Sequence, residues 1–170
     1  GVVGFGRIGR EFARRATGFR MRILAFDLYP EQAAADEIGA TFVPLDELLQ
    51  ESDFVSLHCT LTPETHHLIG ARELGLMKAS AILINAARGP VVDTDALVAA
   101  LREGEIWAAG LDVTDPEPMA ADHPLVGMEN CLIVPHIASG TIATRNAMAK
   151  IAIENCVAVL EGREPVSRVN

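Results

Sequence analysis

The first 11 residues, GVVGFGRIGRE (1–11), place three glycines between an apolar run and a helical pattern. Their GxGxxG spacing suits a strand-to-helix turn: Gly4 permits the tight turn, Gly6 lets a pyrophosphate approach the backbone, and Gly9 lets helix and strand pack closely. The start of the helix then offers unpaired N–H groups and a positive dipole end to phosphate oxygens. A purely structural turn is the competing interpretation.

An acidic residue supports the nucleotide interpretation. Asp27 follows Gly9 by 18 positions and ends the second apolar run, MRILAFD (21–27). The dinucleotide fingerprint has an acid about 20 residues beyond its glycines, where the carboxylate accepts hydrogen bonds from the ribose hydroxyls. A carboxylate there repels a 2′-phosphate. The sequence therefore predicts an NAD site and disfavours NADP, with a structural capping aspartate as the alternative.

Apolar runs alternate with helical segments along the rest of the chain, which is typical of a parallel sheet covered on both faces. The predicted fold class is α/β, a doubly wound parallel sheet of the Rossmann type. Asp93 is the predicted N-cap of a helix that runs to Glu103 and stops at Gly104. The other predicted helices are 7–16, 31–38, 45–50, 70–77 and 141–160, and the predicted strands are 1–5, 21–27, 41–43, 53–58, 81–86, 106–113 and 131–135.

Composition narrows the class of partner. The net charge is −9, whereas nucleic-acid binding needs a clustered basic face, so no nucleic-acid partner is expected. The three cysteines form no CxxC pair, which indicates a reduced, cytoplasmic context. No apolar run is long enough to span a membrane. The pair His66-His67 lacks cysteines or carboxylates at ligand spacing, so no metal site is expected.

Chemistry-bearing side chains follow three of the later predicted strands. Arg88 follows the fifth strand, Asp112 and Glu117 follow the sixth, and His136 follows the seventh. Ligands of open α/β sheets bind beyond the carboxyl ends of the strands, so we expect the arginine, a carboxylate and the histidine to converge on one cleft. Taken singly, each is more often a solvated or structural loop residue.

Five ordered motifs carry a resemblance to a known family. They are GFGRIG (4–9), LHCTLTPET (57–65), NAARGPVVD (85–93), GLDVTDPEP (110–118) and PHIASGT (135–141). In this order and spacing the chain resembles the D-isomer-specific 2-hydroxyacid dehydrogenases over essentially its whole length. The resemblance implies hydride transfer between a nicotinamide and C2 of a small 2-oxo or D-2-hydroxy acid.

The resemblance also implies roles for individual residues. Arg88, Glu117 and His136 match the catalytic arginine, glutamate and histidine of the family. Residues that match its cofactor contacts are Gly4, Gly6, Arg7, Ile8, Gly9, Asp27, Cys59, Ala86, Ala87, Arg88, Asp112, His136 and Ser139.

Elementary chemistry suits the three catalytic assignments. A guanidinium holds a carboxylate through a directional fork that lysine lacks. An imidazole exchanges a proton with a hydroxyl or carbonyl oxygen near neutral pH. An ionised Glu117 beside His136 would raise the histidine's pKa and orient its ring. His58 is expected to make a structural hydrogen bond, and nothing local is expected to depress the pKa of Cys59.

The family's substrate domain has no counterpart in this sequence. We therefore expect residues 1–170 to be the NAD-binding domain of a larger two-domain protein, homodimeric when complete, and weakly active or inactive alone. A non-enzymatic NAD-sensing corepressor built on the same fold is the main alternative. Formate dehydrogenase is a second, and Glu117 argues against it because that enzyme has glutamine there.

Overall fold

The computed structural model describes residues 1–168, and within them seven strands form a single sheet in which every neighbouring pair is parallel. The strands are β1 (Val2–Val3), β2 (Ile23–Phe26), β3 (Ala40–Phe42), β4 (Phe54–Leu57), β5 (Ile82–Asn85), β6 (Ala108–Leu111) and β7 (Cys131–Ile133). Their spatial order is β3-β2-β1-β4-β5-β6-β7. This order reverses direction between β1 and β4, as in a doubly wound sheet, so the predicted fold class is confirmed.

The α-helices are α1 (Arg7–Ala16), α2 (Gln32–Ile38), α3 (Leu45–Glu51), α4 (Ala71–Leu76), α5 (Thr94–Glu103) and α6 (Ile142–Leu160). Short 3₁₀ helices cover Thr17–Phe19, Gly89–Val91 and Pro124–Gly127. The chain divides into two compact units: a sheet unit, Gly1–Pro135, and a C-terminal unit that begins at His136 and contains α6. The prediction of one domain over residues 1–170 stays a prediction.

Helices cover both faces of the sheet. Successive strand residues point to opposite faces, so neighbouring residues of one strand pack against different helices. Val2 belongs to a cluster with Ala13 and Ala16 of α1, whereas Val3 packs on the other face with Leu48 and Leu49 of α3. The strands are accordingly mostly apolar, as is typical of parallel strands with two covered faces.

Helix termini follow their local signals. The Asp93 carboxylate accepts a hydrogen bond from the Ala96 N–H, and Gly104 ends α5 with φ of 72°. The Thr141 hydroxyl likewise accepts from the Thr144 N–H at the start of α6. Each predicted helix begins and ends within one residue of its observed bounds.

The strands are shorter than predicted where the chain turns into functional loops. The first strand, predicted over 1–5, covers only Val2–Val3 because Gly4 has φ of +92° and leaves the extended conformation. The Gly4 N–H still donates to the Phe26 carbonyl at 2.8 Å, so the turn stays attached to the sheet. The carboxyl end of β1 therefore opens directly into the glycine turn.

Candidate cofactor and substrate site

The three glycines of the opening motif meet different surroundings. A Cβ at Gly4 would lie 2.4 Å from the Cys59 nitrogen, and one at Gly9 would lie 2.0 Å from the Gly4 carbonyl oxygen. Neither position tolerates a side chain, because the obstructing atoms are backbone. A Cβ at Gly6 would meet no atom of residues 1–168 within 4 Å. The face of the turn at Gly6 is therefore open, which is the condition for the close approach of a pyrophosphate.

The start of α1 adds the electrostatics that an anion needs. Gly6 is its N-cap, and within the described chain no side chain caps the helix and no acidic residue lies in its first turn. Arg7 and Ile8, the first two helical residues, are exposed. The first N–H groups of a helix have no intrahelical acceptor, so this end offers donors and a partial positive charge to phosphate oxygens.

Asp27 lies beside the same turn and is held by two backbone amides. Its Oδ2 accepts from the Phe5 N–H at 2.6 Å, and its Oδ1 accepts from the Tyr29 N–H at 2.9 Å. Each carboxylate oxygen has a second lone-pair direction, so ribose hydroxyls can still donate to it. The bond to Phe5 ties the glycine turn to the end of β2, a role that the spacing of Asp27 did not predict.

Two pockets meet at the loop that follows β4. The first, about 220 Å³, brings together the predicted residues Gly4, Gly6, Asp27 and Cys59. The second, about 310 Å³, brings together Ile8, Cys59, Ala86, Ala87 and Arg88. His58, Cys59 and Thr60 line both. The two pockets lie at the carboxyl ends of β1, β2, β4 and β5, around the point where the strand order reverses.

One wall of the first pocket was not predicted from the sequence. Thr60, Thr62 and Thr65 belong to the segment TLTPET (60–65), and all three line the pocket. The buried Thr65 hydroxyl donates to the Thr60 carbonyl at 2.6 Å and accepts from the Thr62 N–H at 2.8 Å. The hydroxyl bonds to backbone groups three and five residues earlier. Threonine favours such local side-chain-to-backbone bonds in loops, so Thr65 is the signal that the sequence contained.

Arg88 is exposed at the mouth of the second pocket, and its Nη1 donates to the Ala87 carbonyl at 2.7 Å. The next residue, Gly89, packs against the loop after β6: a Cβ there would lie 1.9 Å from the Thr114 carbonyl oxygen. The Thr94 hydroxyl also donates to the Asp115 carbonyl at 3.2 Å. The loop that carries Arg88 and the loop that carries Glu117 are therefore in direct contact.

Neither of these two pockets is lined by the predicted site residues Asp112, Glu117, His136 and Ser139. Asp112 is half-buried at the end of β6, and its N–H donates to the Asn85 carbonyl at 2.9 Å. Glu117 is exposed in the loop after β6. His136 is exposed, has φ of +53°, and belongs with Ser139 to the C-terminal unit. The convergence of Arg88, Glu117 and His136 on one cleft stays a prediction.

The two titratable side chains shared by the pockets are uncharged near neutral pH. Burial lowers the pKa of His58 to about 4. Its Nε2 lies 2.9 Å from the Ser56 hydroxyl oxygen, so the predicted structural hydrogen bond is confirmed. Burial raises the pKa of the Cys59 thiol, and the nearby Asp27 charge acts in the same direction. Cys59 is accordingly a neutral wall residue, since nucleophilic cysteines need a depressed pKa.

The half-buried His58 makes stability depend on pH. In the unfolded chain its pKa is ordinary, near 6.5, whereas in the folded chain it is about 4. Between these values the unfolded state binds more protons, so stability that is present above pH ~6.5 is lost as the pH falls towards ~4. The loss attributable to His58 is at most roughly 3 kcal/mol.

Urea unfolding of the purified chain at pH 7, 6 and 5 measures this effect. His58→Gln is expected to reduce the pH dependence to the part that arises from the Gly1 amino group, whose pKa burial lowers to about 5. His66→Gln, which changes an exposed histidine, is expected to leave the dependence as in the wild type. Equal slopes for His58→Gln and wild type would show that His58 is not the group responsible.

The described part of the chain holds no group of three His, Cys, Asp or Glu residues arranged to bind a metal ion. Among residues 1–168 there is also no helix both long enough and apolar enough to cross a membrane.

Comparison with known proteins identifies the family. Residues 1–138 match the family described as "D-isomer specific 2-hydroxyacid dehydrogenase, NAD binding domain". The whole chain is 51% identical to a glyoxylate reductase of Korarchaeum cryptofilum and covers 51% of that protein. It is 52% identical to glyoxylate/hydroxypyruvate reductase B of Escherichia coli, of which it covers 53%. The chain thus spans about half the length of these relatives.

Solved structures show the same fold. The TT0316 protein of Thermus thermophilus superposes with a TM-score of 0.92 and 51% identity, over 99% of this chain and 52% of that one. The NAD-complexed D-isomer specific 2-hydroxyacid dehydrogenase of Lactobacillus delbrueckii gives a TM-score of 0.89 at 35% identity, over 99% of this chain and 55% of that one.

An open glycine turn, an amide-held aspartate and a doubly wound parallel sheet define an NAD-binding domain of the Rossmann type. The family match over residues 1–138 is more specific: the chain belongs to the D-isomer-specific 2-hydroxyacid dehydrogenase family and contains its NAD-binding domain.

Proposed function

We propose that the chain is the cofactor-binding half of an NAD-dependent dehydrogenase that interconverts a small 2-oxo acid and the corresponding D-2-hydroxy acid. The observation that carries the proposal is the position of Arg88. Its exposed side chain lines a pocket of about 310 Å³ that shares a wall with the pocket of Gly6 and Asp27. A cationic fork beside a nicotinamide site suits a carboxylate substrate.

The three proposed catalytic residues have different roles. Arg88 holds the substrate carboxylate through two parallel N–H donors and polarises the adjacent carbonyl. His136 donates a proton to the carbonyl oxygen during reduction and removes the hydroxyl proton during oxidation. Glu117 is the proposed partner of His136: as a carboxylate it would stabilise the protonated imidazole and fix its orientation.

The cofactor would be held by Gly4, Gly6 and the first N–H groups of α1 at its pyrophosphate, and by Asp27 at a ribose. The nicotinamide, when bound, supplies or accepts the hydride. Ala86 and Ala87 line the second pocket and would give its ring an apolar wall that excludes water. Under this proposal, Arg7, Ile8, Cys59, Asp112 and Ser139 complete the cofactor contacts.

The proposal extends to the complete protein. The glyoxylate reductase and glyoxylate/hydroxypyruvate reductase relatives are about twice as long as this chain. Their length supports a second, substrate-binding domain in the complete protein. We propose a cytoplasmic homodimer whose substrate is a small 2-oxo acid. The reductase names of the relatives favour a 2-oxo-acid reductase over an NAD-sensing corepressor. The glutamate at position 117 argues against a formate dehydrogenase.

The direct test is an assay of the complete protein with NADH or NADPH and a panel that includes glyoxylate, hydroxypyruvate and pyruvate. Saturable NADH oxidation with at least one of these 2-oxo acids is expected. The isolated 170-residue chain is expected to bind NADH yet reduce none of them appreciably. Failure of the complete protein to oxidise NADH with every acid in the panel would contradict the proposal.

Asp27→Ala is expected to weaken NADH binding by about tenfold to a hundredfold, because charge-assisted hydrogen bonds to the ribose are lost. Binding of NADPH should weaken less or improve, since the carboxylate that repels its 2′-phosphate is gone. Fluorescence titration with both cofactors measures the ratio. Asp36→Ala, which removes an exposed carboxylate on α2, is the matched control. An unchanged NADH-to-NADPH preference in Asp27→Ala would remove Asp27 from this role.

A further inference from the structure

The side chain of Asn85 forms two hydrogen bonds with the backbone of the turn that carries Arg88. Asn85 is the last residue of β5 and only 1% of its surface is exposed. Its Oδ1 accepts from the Ala87 N–H at 3.0 Å, and its Nδ2 donates to the Arg88 carbonyl at 2.9 Å. We propose that Asn85 is a positioning residue: its carboxamide fixes the backbone of the turn and thereby the direction of the Arg88 guanidinium. This inference rests on the proposed role of Arg88 as the carboxylate-binding group.

The orientation of the carboxamide is determined by its partners. An amide N–H pairs only with the oxygen, and a carbonyl pairs only with the NH₂ group. One planar group therefore spans the turn and satisfies a donor on one side and an acceptor on the other. A buried side chain with both ends paired in this way has a single low-energy arrangement.

The platform beneath the carboxamide is rigid. The backbone of Asn85 is paired in the sheet with Leu57 of β4 and Leu111 of β6. Its carbonyl accepts from the Asp112 N–H at 2.9 Å. The carboxamide therefore fixes the turn relative to the central strands of the sheet. A turn held in this way is positioned more precisely than a loop that is supported only by its own residues.

The hydrogen bonds of the turn converge on Arg88 itself. Its carbonyl accepts from Asn85 and also from the Val91 N–H at 3.2 Å, and its Nη1 donates to the Ala87 carbonyl at 2.7 Å. Beyond Arg88, Gly89 packs against Thr114, and the Pro90 carbonyl accepts from the His67 N–H at 2.8 Å. The C-terminal side of the turn is therefore held by backbone contacts, and Asn85 holds the N-terminal side.

The chemistry of the position requires asparagine. Aspartate keeps the acceptor for the Ala87 N–H, but it places a second oxygen against the Arg88 carbonyl and buries a charge there. Alanine leaves the Ala87 N–H without its acceptor. Both changes free the backbone on which the guanidinium direction depends, and the positioning of a reacting group to within about 1 Å is worth about a hundredfold in rate.

The experiment is a double-mutant cycle in the complete protein with Asn85→Ala, Arg88→Ala and the double variant. Asn85→Ala is expected to lower kcat/KM for the 2-oxo acid about 10- to 100-fold, mainly through a raised KM, with the melting temperature of the protein recorded alongside. In the Arg88→Ala background the same change should cost less than about threefold, because the group that Asn85 positions is already absent.

A second readout does not depend on activity. Hydrogen exchange measured by mass spectrometry on the peptide that contains Ala87 should accelerate at least about tenfold in Asn85→Ala, because its N–H loses its acceptor. Asn130→Ala is the matched control: its Nδ2 also donates to a backbone carbonyl, that of Leu101 at 3.1 Å, at the opposite edge of the sheet. It should change neither kcat/KM nor the exchange of that peptide.

The outcomes separate the two claims. Full activity of Arg88→Ala overturns the proposed function and this inference with it. An inactive Arg88→Ala whose loss simply multiplies with that of Asn85→Ala overturns the inference alone, as does unchanged exchange at Ala87. If Asn85→Ala does not fold, Asn85→Ser, which buries no charge, takes its place in the cycle with the same expected non-additivity, and multiplication of the two losses again overturns the inference.

Discussion

Gly9→Ala is expected to destabilise the sheet unit by about 3 kcal/mol, the upper end of the usual cost of overpacking. The new methyl group would lie 2.0 Å from the Gly4 carbonyl oxygen and 3.2 Å from Cγ1 of Val2. No rotamer change relieves the first contact, because the obstructing atom belongs to the backbone of the glycine turn. Helix α1 would have to move away from β1 and uncover Ala13 and Ala16, which are buried in its contact with the sheet.

Gly6→Ala is the matched variant, because it makes the same substitution in the same turn. Its φ of −74° suits alanine, and no described atom lies within 4 Å of the new methyl group. Thermal unfolding should therefore shift by less than about 2 °C. NADH affinity should fall tenfold or more, because the methyl group occupies the open face that the pyrophosphate needs.

Thermal unfolding and NADH titration of the two variants give opposite patterns under this account. Gly9→Ala loses stability first and binding as a consequence, whereas Gly6→Ala loses binding while it stays folded. A Gly9→Ala protein that melts with the wild type would contradict the close packing of helix and strand. A Gly6→Ala protein with wild-type NADH affinity would place the pyrophosphate elsewhere.

Arg88→Ala in the complete protein is expected to lower kcat/KM for glyoxylate about 10³-fold, because the substrate carboxylate loses its bidentate cationic partner. Arg88→Lys should recover part of this loss and stay about tenfold or more below the wild type, since an ammonium keeps the charge but not the fork. NADH affinity should change much less than the KM for the acid. The KM-against-kcat split from steady-state kinetics, together with an NADH titration, measures each part.

Arg102→Ala removes a positive charge from the exposed side of α5 and is the control for a general electrostatic effect. It should leave kcat/KM within about twofold of the wild type, because exposed charges distant from a site are screened by salt. Comparable losses in Arg102→Ala and Arg88→Ala would mean that net charge, rather than a carboxylate contact, determines the rate.

Most of the fold was predictable because its signals are local. Helix α5 has its aspartate cap and its left-handed glycine at the predicted positions. Helix α1 begins and ends at Arg7 and Ala16, as predicted. Strand ends were less predictable: β6 covers Ala108–Leu111 rather than 106–113. An apolar run marks what is buried, whereas a strand ends where its neighbours stop pairing with it.

The site also has features that the sequence predicted and features that it did not. Gly4, Gly6, Asp27 and Cys59 were predicted as cofactor residues, and they line one pocket. The hydrogen bond from the Phe5 N–H to Asp27 was not predictable, because it joins residues that are 22 positions apart. Nor was the contact of Gly89 with Thr114, since a glycine before a proline has the same local appearance whether or not another loop packs against it.

The sequence alone determined the class of fold and the dinucleotide turn, because glycine spacing, apolar alternation and capping residues act over a few neighbours along the chain. The family followed from the resemblance carried by five ordered motifs. Only the tertiary structure decided that Asn85 supports the Arg88 turn, that Asp27 holds the glycine turn to β2, and that the Arg88 and Glu117 loops touch. These contacts join separate strand ends, and it is the pairing of parallel strands that brings those ends to the same edge of the sheet.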